Sequence, residues 1–285
     1  MKIVKVERGG RYAAGILSDG YVHVVGGWHE GDAESAPFTL AQESLSELNQ
    51  FFASSLEKVS LSSVTLLPPL NPLRTIICAG VNYDDHATEI KSEKPANPLL
   101  FIRAPFSVVG HNAPIRRPQS SETFDFEGEI AVVIGRAGRH IPREEAMSYI
   151  FGYTCFLDGS VREYQRHSLT AGKNFWQSGS VGPWIMTADE VDVEKLAVRT
   201  VLNGQEVQSA SACEMIFGIA ELISYCSRWM RLRPGDVIAT GTPGGVGSRR
   251  TPPLWMKPGD VIEVEVASVG NLINPVATEN ELLAS

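Results

Sequence analysis

Apolar residues run through this chain in short blocks, some alternating with polar residues and some continuous, punctuated by glycine, proline, asparagine and aspartate. Blocks of that length rich in β-branched residues predict strands. "KIVKVE", "RYAAGIL" and "YVHVVGG" open the chain as three of them, the last two joined across Ser18-Asp19-Gly20, a hairpin turn signal. Residues 39–56 instead keep helical spacing through Leu40, Leu45, Leu48 and Phe52. "LLPPLNPL" at 66–73 concentrates proline and reads as a linker, which sets a small N-terminal module at 1–70 before a main domain at 71–285. In that domain the pattern predicts strands at 75–79, 99–102, 129–134, 152–157, 183–187, 198–202, 236–240 and 261–266. Helices fit a short stretch from about Tyr83, then 142–151 and 213–231, while "LNGQ", "RPGD" and "KPGD" mark turns between the later strands. The result is mixed α and β with more strand than helix and no βαβ rhythm, which disfavours a doubly wound nucleotide fold.

Composition narrows the class without changing the architecture. Of 285 residues, 43% are hydrophobic and 20% charged, as expected of a soluble globular protein with a large core. The net charge of −8 and a pI near 5.3 argue against non-specific nucleic-acid binding. An anionic substrate must then be met by positive charge gathered locally, from a metal or a few Lys and Arg. Cys78, Cys155, Cys213 and Cys226 are far apart and form no CxxC pair, so they read as reduced thiols of a cytoplasmic protein. "MKIVKVERGG" has no apolar h-region and no long apolar run follows, so neither a secretory signal nor a membrane span is expected.

The stretch "DFEGEIAVVIG" at 125–135 carries the first chemical signal. Its apolar half is a strand, and alternation points Glu127 and Glu129 to the same face at that strand's entrance. Three readings of the pair stand side by side: a solvated strand end, a general acid/base couple with one raised pKa, or a site for a hard divalent cation. "GYTCFLDGSVREYQ" delivers a third carboxylate, Asp158, to the end of another apolar strand. Three carboxylates without Cys or clustered His suit Mg2+, Mn2+ or Ca2+ better than zinc.

An ordered series of motifs then resembles the fumarylacetoacetate hydrolase family over roughly residues 70–280: "ICAGVNYDDHATE", "FDFEGEIAVVIG", "GYTCFLDGSVREYQ", "GKNFWQSGSVGPWIMTADEV", "RLRPGDVIATGTPGGVG" and "KPGDVIEVEVASVGNLINPV". The resemblance implies a β-rich mixed α/β fold, a rolled mixed β-sheet or pseudo-barrel with peripheral helices, as a homodimer. It implies one Mg2+ or Mn2+ per subunit on Glu127, Glu129 and Asp158. That ion would chelate the 1-carboxylate and 2-oxo oxygens of a 2-oxo acid and stabilise an enolate. His86 and Glu89, one helical turn apart in "NYDDHATE", correspond to a dyad that activates water or moves a proton, Glu89 orienting His86. The charged segment around them, "DDHATEIKSEK", reads as a lid that orders on binding.

Lys173 matches the family's lysine beside the metal, and Gln165 a polar residue that contacts substrate. Thr242 matches a loop whose hydroxyl and amides meet the substrate carboxylate; that loop lacks GK[ST] and is no P-loop. Arg139 and Arg103 are further candidates for a distal carboxylate. Where "NDVSARDxQ" is usual, this chain has Leu157 for Asn and Glu163 for the later Asp, which leaves the metal set in place but loosens inference about substrate shape. Trp176 either narrows the pocket or belongs to the core or a subunit interface. The implied activity is metal-dependent hydrolysis of the C–C bond in an acylpyruvate-like 2,4-dioxo acid. The same enolate chemistry would serve an oxaloacetate-type decarboxylase or a 5-carboxymethyl-2-hydroxymuconate-type isomerase of aromatic catabolism. The expected partner is a small 2-oxo acid, with no nucleic acid and no membrane. A catalytically silent binding protein would show a broken metal set or a broken His–Glu pair, and both are intact.

Overall fold

The computed structural model describes residues 1–31, 45–55, 57–70, 74–89 and 93–282. The strands assemble into a mixed sheet of 12, a smaller sheet of 5 and a two-stranded pair, Phe124–Asp125 with Ser160–Val161. Along the large sheet the order runs Lys58–Ser60, Tyr21–Glu30, Arg11–Ser18, Lys2–Arg8, Gly179–Thr187, Ile150–Leu157, Gly128–Ile134, Val237–Ala239, Ile76–Gly80 and Leu99–Arg103, with Thr65–Leu67 and Val108–Val109 pairing beside that path. The small sheet runs Gln205–Ser211, Ala197–Leu202, Val261–Val266, Gly270–Thr278 and Ile115–Arg117. The fold is strand-rich mixed α/β with few helices, as expected. Neither sheet closes on itself, however, so two open sheets stand where a pseudo-barrel was expected.

The strand Gly128–Ile134 is buried along all of its length because both its faces are covered. Ile130, Val132 and Ile134 join Tyr153 and Leu157 against Val198, Ile262, Val264 and Leu272 of the small sheet. Ala131 and Val133 on the other face pack with Ile76, Cys78, Phe156 and Val181. This is why its sequence is a continuous apolar run instead of an alternating one. Residues 1–70 add their strands to the same sheet: Lys2–Arg8 pairs antiparallel with Gly179–Thr187, Ile3 opposite Ile185.

The helical expectations shift at their ends. Leu45–Ser54 is helical, and the earlier part of the 39–56 prediction lies outside the described residues. The 142–151 stretch is a 3-10 helix, Arg143–Tyr149, after which the chain enters the strand at Ile150. The 213–231 stretch begins only at Ile219, with Gly218 as its cap, and buries Ile219, Leu222, Ile223 and Cys226 on one stripe. Several strands were not anticipated: the short ones such as Lys58–Ser60 and Ile115–Arg117, and the longer Gln205–Ser211 and Gly270–Thr278, whose polar content hides them. Among the described residues no helix is long and apolar enough to cross a membrane.

Candidate metal centre

Register brings the three carboxylates together. Gly128 pairs with Leu157, and the Asp158 amide donates to the Glu127 carbonyl at 2.9 Å, so the entrance of one strand meets the exit of its neighbour. Alternation then aims Glu127 and Glu129 at the same face as Asp158. One ligand oxygen from each lies within 4.8 Å of the others, and all three residues are buried. Gly128 makes this possible from behind: a Cβ there would stand 2.0 Å from Thr200 Oγ1 and 3.3 Å from Val264 Cγ1, where the small sheet packs.

Three cations surround the cluster. Lys173, on the short helix Leu169–Lys173, donates to Glu127 Oε2 at 2.7 Å, Asp158 Oδ2 at 2.6 Å and Ser160 Oγ at 2.6 Å. Its ammonium protons are thereby all engaged. Arg162 Nη1 meets Glu127 Oε1 at 2.6 Å, while its Nε donates to Asp125 Oδ2 at 2.7 Å. Arg103, fully buried, binds Asp158 Oδ1 and reaches Ser178 Oγ at 2.9 Å. Burial alone would raise the Glu127 pKa, but Lys173 and Arg162 outweigh it and bring it down to about 2. Burial likewise works against the Lys173 charge, which Asp158 and Glu127 hold in place, so its pKa sits above the ordinary value.

Glu129 differs. The Gly241 amide donates to its Oε2 at 2.8 Å, yet burial and the charges of Asp158 and Glu127 push its pKa well up. A carboxylate left in that state is the signature of a missing positive charge. An all-oxygen donor set with this one under-compensated acid fits a hard divalent cation such as Mg2+ or Mn2+.

The expected dyad is positioned beside this cluster. The helix Asp84–Glu89 sets His86 Nδ1 at 3.3 Å from Glu89 Oε2, and His86 is buried. The glycine-rich loop holds that helix: the Gly244 amide donates to Asp85 Oδ2 at 2.9 Å and the Gly245 amide to Glu89 Oε1 at 3.1 Å. Burial of Glu89 is outweighed by the His86 and Gly245 bonds, and its pKa falls below the ordinary value. Residues 90–92 of the expected lid lie outside the described residues.

His86, Glu127, Arg162, Gln165 and Lys173 all line one cleft of about 520 Å³, with Phe101 and Leu169 as apolar wall. Gln165 Oε1 accepts from Arg162 Nη1 at 2.9 Å. Thr242 is buried behind the cleft, its hydroxyl donating to the Gly128 carbonyl at 3.0 Å and accepting from Gln208 Nε2 at 2.8 Å. Arg139 is exposed beyond the far end of the Gly128–Ile134 strand, roughly 17 Å of strand from Glu129. Trp176 is exposed and outside the lining, where Trp255 supplies the indole.

Sequence reasoning missed Arg166, Arg249 and Ser248 at the cleft, and Asp125 beneath it. Asp125 is fully buried and accepts from the Gly247 amide at 2.7 Å, the Ser248 amide at 3.0 Å and Arg162 Nε at 2.7 Å. It thus ties the glycine-rich loop to the arginine that grips Glu127. Its signal was present: Asp125 precedes Glu127 and Glu129 at the same two-residue period.

Fold and site together define a strand-rich protein with a buried carboxylate cluster, suited to a divalent metal, at the base of a cleft. The chain belongs to the fumarylacetoacetate hydrolase family, whose model, "Fumarylacetoacetate (FAA) hydrolase C-terminal", matches residues 75–277. It is 41% identical over 224 residues to oxaloacetate tautomerase YisK of Bacillus subtilis (strain 168), covering 76% of this chain and 74% of that one. It is similar to the solved fumarylacetoacetate hydrolase from Exiguobacterium antarcticum, at 33% identity and TM-score 0.82, over 98% of this chain and 100% of that one. It is also similar to maleylpyruvate hydrolase from Sphingobium sp. SYK-6, solved with manganese (II) ion and pyruvate, at 26% identity and TM-score 0.80, over 98% and 99% of the two chains.

Proposed function

We propose that this protein is a divalent-metal enzyme that interconverts the enol and keto forms of a 2-oxo dicarboxylic acid of the oxaloacetate class. The reading rests on one observation: a single cleft is lined by Glu127 of the buried carboxylate cluster, a carboxylate-paired histidine and two exposed arginines, Arg166 and Arg249. The similarity to a named oxaloacetate tautomerase supports it.

Mg2+ or Mn2+ on Glu127, Glu129 and Asp158 would supply Lewis acidity that favours the enolate form of a bound 2-oxo acid. Lys173 and Arg162 hold Glu127 ionised and in place, and Arg103 and Lys173 pair with Asp158 and fix its position. Glu89 fixes the His86 ring through Nδ1, which leaves Nε2 to take a proton from, or return it to, the carbon beside the keto group. Arg166 and Arg249 at the cleft suit the second carboxylate of a diacid.

A second reading, hydrolysis of an acylpyruvate, is supported by the similarity to the two hydrolases and by the same histidine, which could instead deprotonate water. The two separate cleanly. Enol oxaloacetate is followed by its ultraviolet absorbance with and without Mn2+, and acylpyruvates are assayed for pyruvate release. Metal-dependent acceleration of enol loss without pyruvate from acylpyruvates is expected. An unchanged spontaneous rate together with pyruvate release would overturn tautomerisation in favour of hydrolysis.

A further inference from the structure

We propose that an arginine-lined groove at the opposite end of the large sheet binds a small polyanion, either a tetrahedral dianion or a polycarboxylate, as a site separate from the metal cleft. The groove encloses about 690 Å³ and is lined by Arg74, Arg231, Arg233, Asp236, Met230 and the segment 102–105. It opens where the strand Ile76–Gly80 begins, whereas Gly80 at that strand's other end lines the metal cleft. Five residues of strand separate the two, roughly 16 Å.

Three features favour an anion. The chain carries a net charge of −8, yet three guanidinium groups converge here, and none forms a side-chain ion pair among the described residues. Arg231 and Arg233 are exposed. Arg74 lines the groove beside them, half-buried, and its buried Nε makes no hydrogen bond within the protein. The acid in the wall does not cancel them by contact. Asp236 is buried, its Oδ1 accepting from the Thr75 amide at 3.3 Å and its Oδ2 from the Arg233 amide at 2.7 Å. Guanidinium forks match the spacing of carboxylate and phosphate oxygens, which selects an oxyanion over a halide.

The test uses the Mg2+-loaded protein, melted across a sulfate series and a tricarballylate series at ionic strength held constant with NaCl. Neither probe is a 2-oxo acid. The expected result is a saturable rise of roughly 2–5 °C at tenfold excess over the dissociation constant, with at least one of the two probes. The double variant Arg231→Gln/Arg233→Gln, altered only at exposed positions, should melt like the parent without anion and lose the saturable rise. A shift shared equally by both proteins would be bulk ion exclusion and would overturn the site, as would no shift at all. A change of association state in the variant without any anion response in the parent would also overturn it, because the arginines would then serve contacts between copies.

Discussion

Replacing Lys173 with methionine keeps most of the side chain's length and removes one charge from a point on which three oxygens converge. Nζ lies 2.7 Å from Glu127 Oε2, 2.6 Å from Asp158 Oδ2 and 2.6 Å from Ser160 Oγ, and the side chain is 2% exposed. Removing one member of a buried ion pair costs about 3–5 kcal/mol, because the other is left uncompensated. Here Glu127 keeps Arg162 and Asp158 keeps Arg103, so the lower end applies, about 3 kcal/mol. For a chain of this size that is a fall in Tm of roughly 6–12 °C in chelator. Excess Mn2+ should recover most of it by restoring positive charge to the same oxygens.

The acid side follows from Glu127. Its folded pKa of about 2 lies below its ordinary 4.5, so its stabilising contribution is complete above 4.5 and disappears as pH falls through about 2. In Lys173→Met the folded value rises toward 4.5, that window narrows, and acid unfolding begins at higher pH. Urea melts across the acid range, in chelator and in Mn2+, read both effects. Parental stability in chelator with an unmoved acid limb would refute the reasoning.

Three further outcomes are expected. His86→Ala should lower kcat by roughly 10²–10⁴ while Mn2+ affinity by calorimetry stays unchanged, and Glu89→Gln should lower kcat less; an active His86→Ala enzyme removes the proton-transfer role. Gly128→Ala places a methyl 2.0 Å from Thr200 Oγ1 and should cost about 1–3 kcal/mol together with metal affinity. Adding Thr200→Ala should recover part of that, since Thr200 Oγ1 has no hydrogen-bond partner to lose; an additive pair of losses argues against the clash. Glu129, with its folded pKa raised, retains a proton that the unfolded chain gives up above 4.5, so metal-free stability should fall as pH climbs from 4.5 toward the folded value. Mn2+ should flatten that fall and release a proton on binding, and calorimetry in buffers of different ionisation enthalpy would expose a binding event without proton release.

Local periodicity, read from the sequence alone, determined the parts of the site that lie within a few residues of each other. Two-residue alternation aligned Glu127 with Glu129, and one helical turn brought His86 to Glu89. The continuous apolar run after Glu129 announced a strand, and the 213–231 stretch a helix, which the structure trims to Ile219–Trp229. Strands such as Gln205–Ser211 and Gly270–Thr278 escaped because their polar residues pair through the backbone, which composition does not record.

Tertiary structure alone decided which distant groups share one buried volume. Arg103 and Arg139 look alike as sequence candidates, yet Arg103 holds Asp158 from within the core and Arg139 stands in solvent. Asp125 grips Gly247 across 122 residues of chain, and the Gly244 amide holds Asp85 across 159. Such neighbours are set by strand register and by the packing of one sheet on another. A periodic pattern has no term for either, because it reports which face a side chain takes but not what lies opposite that face.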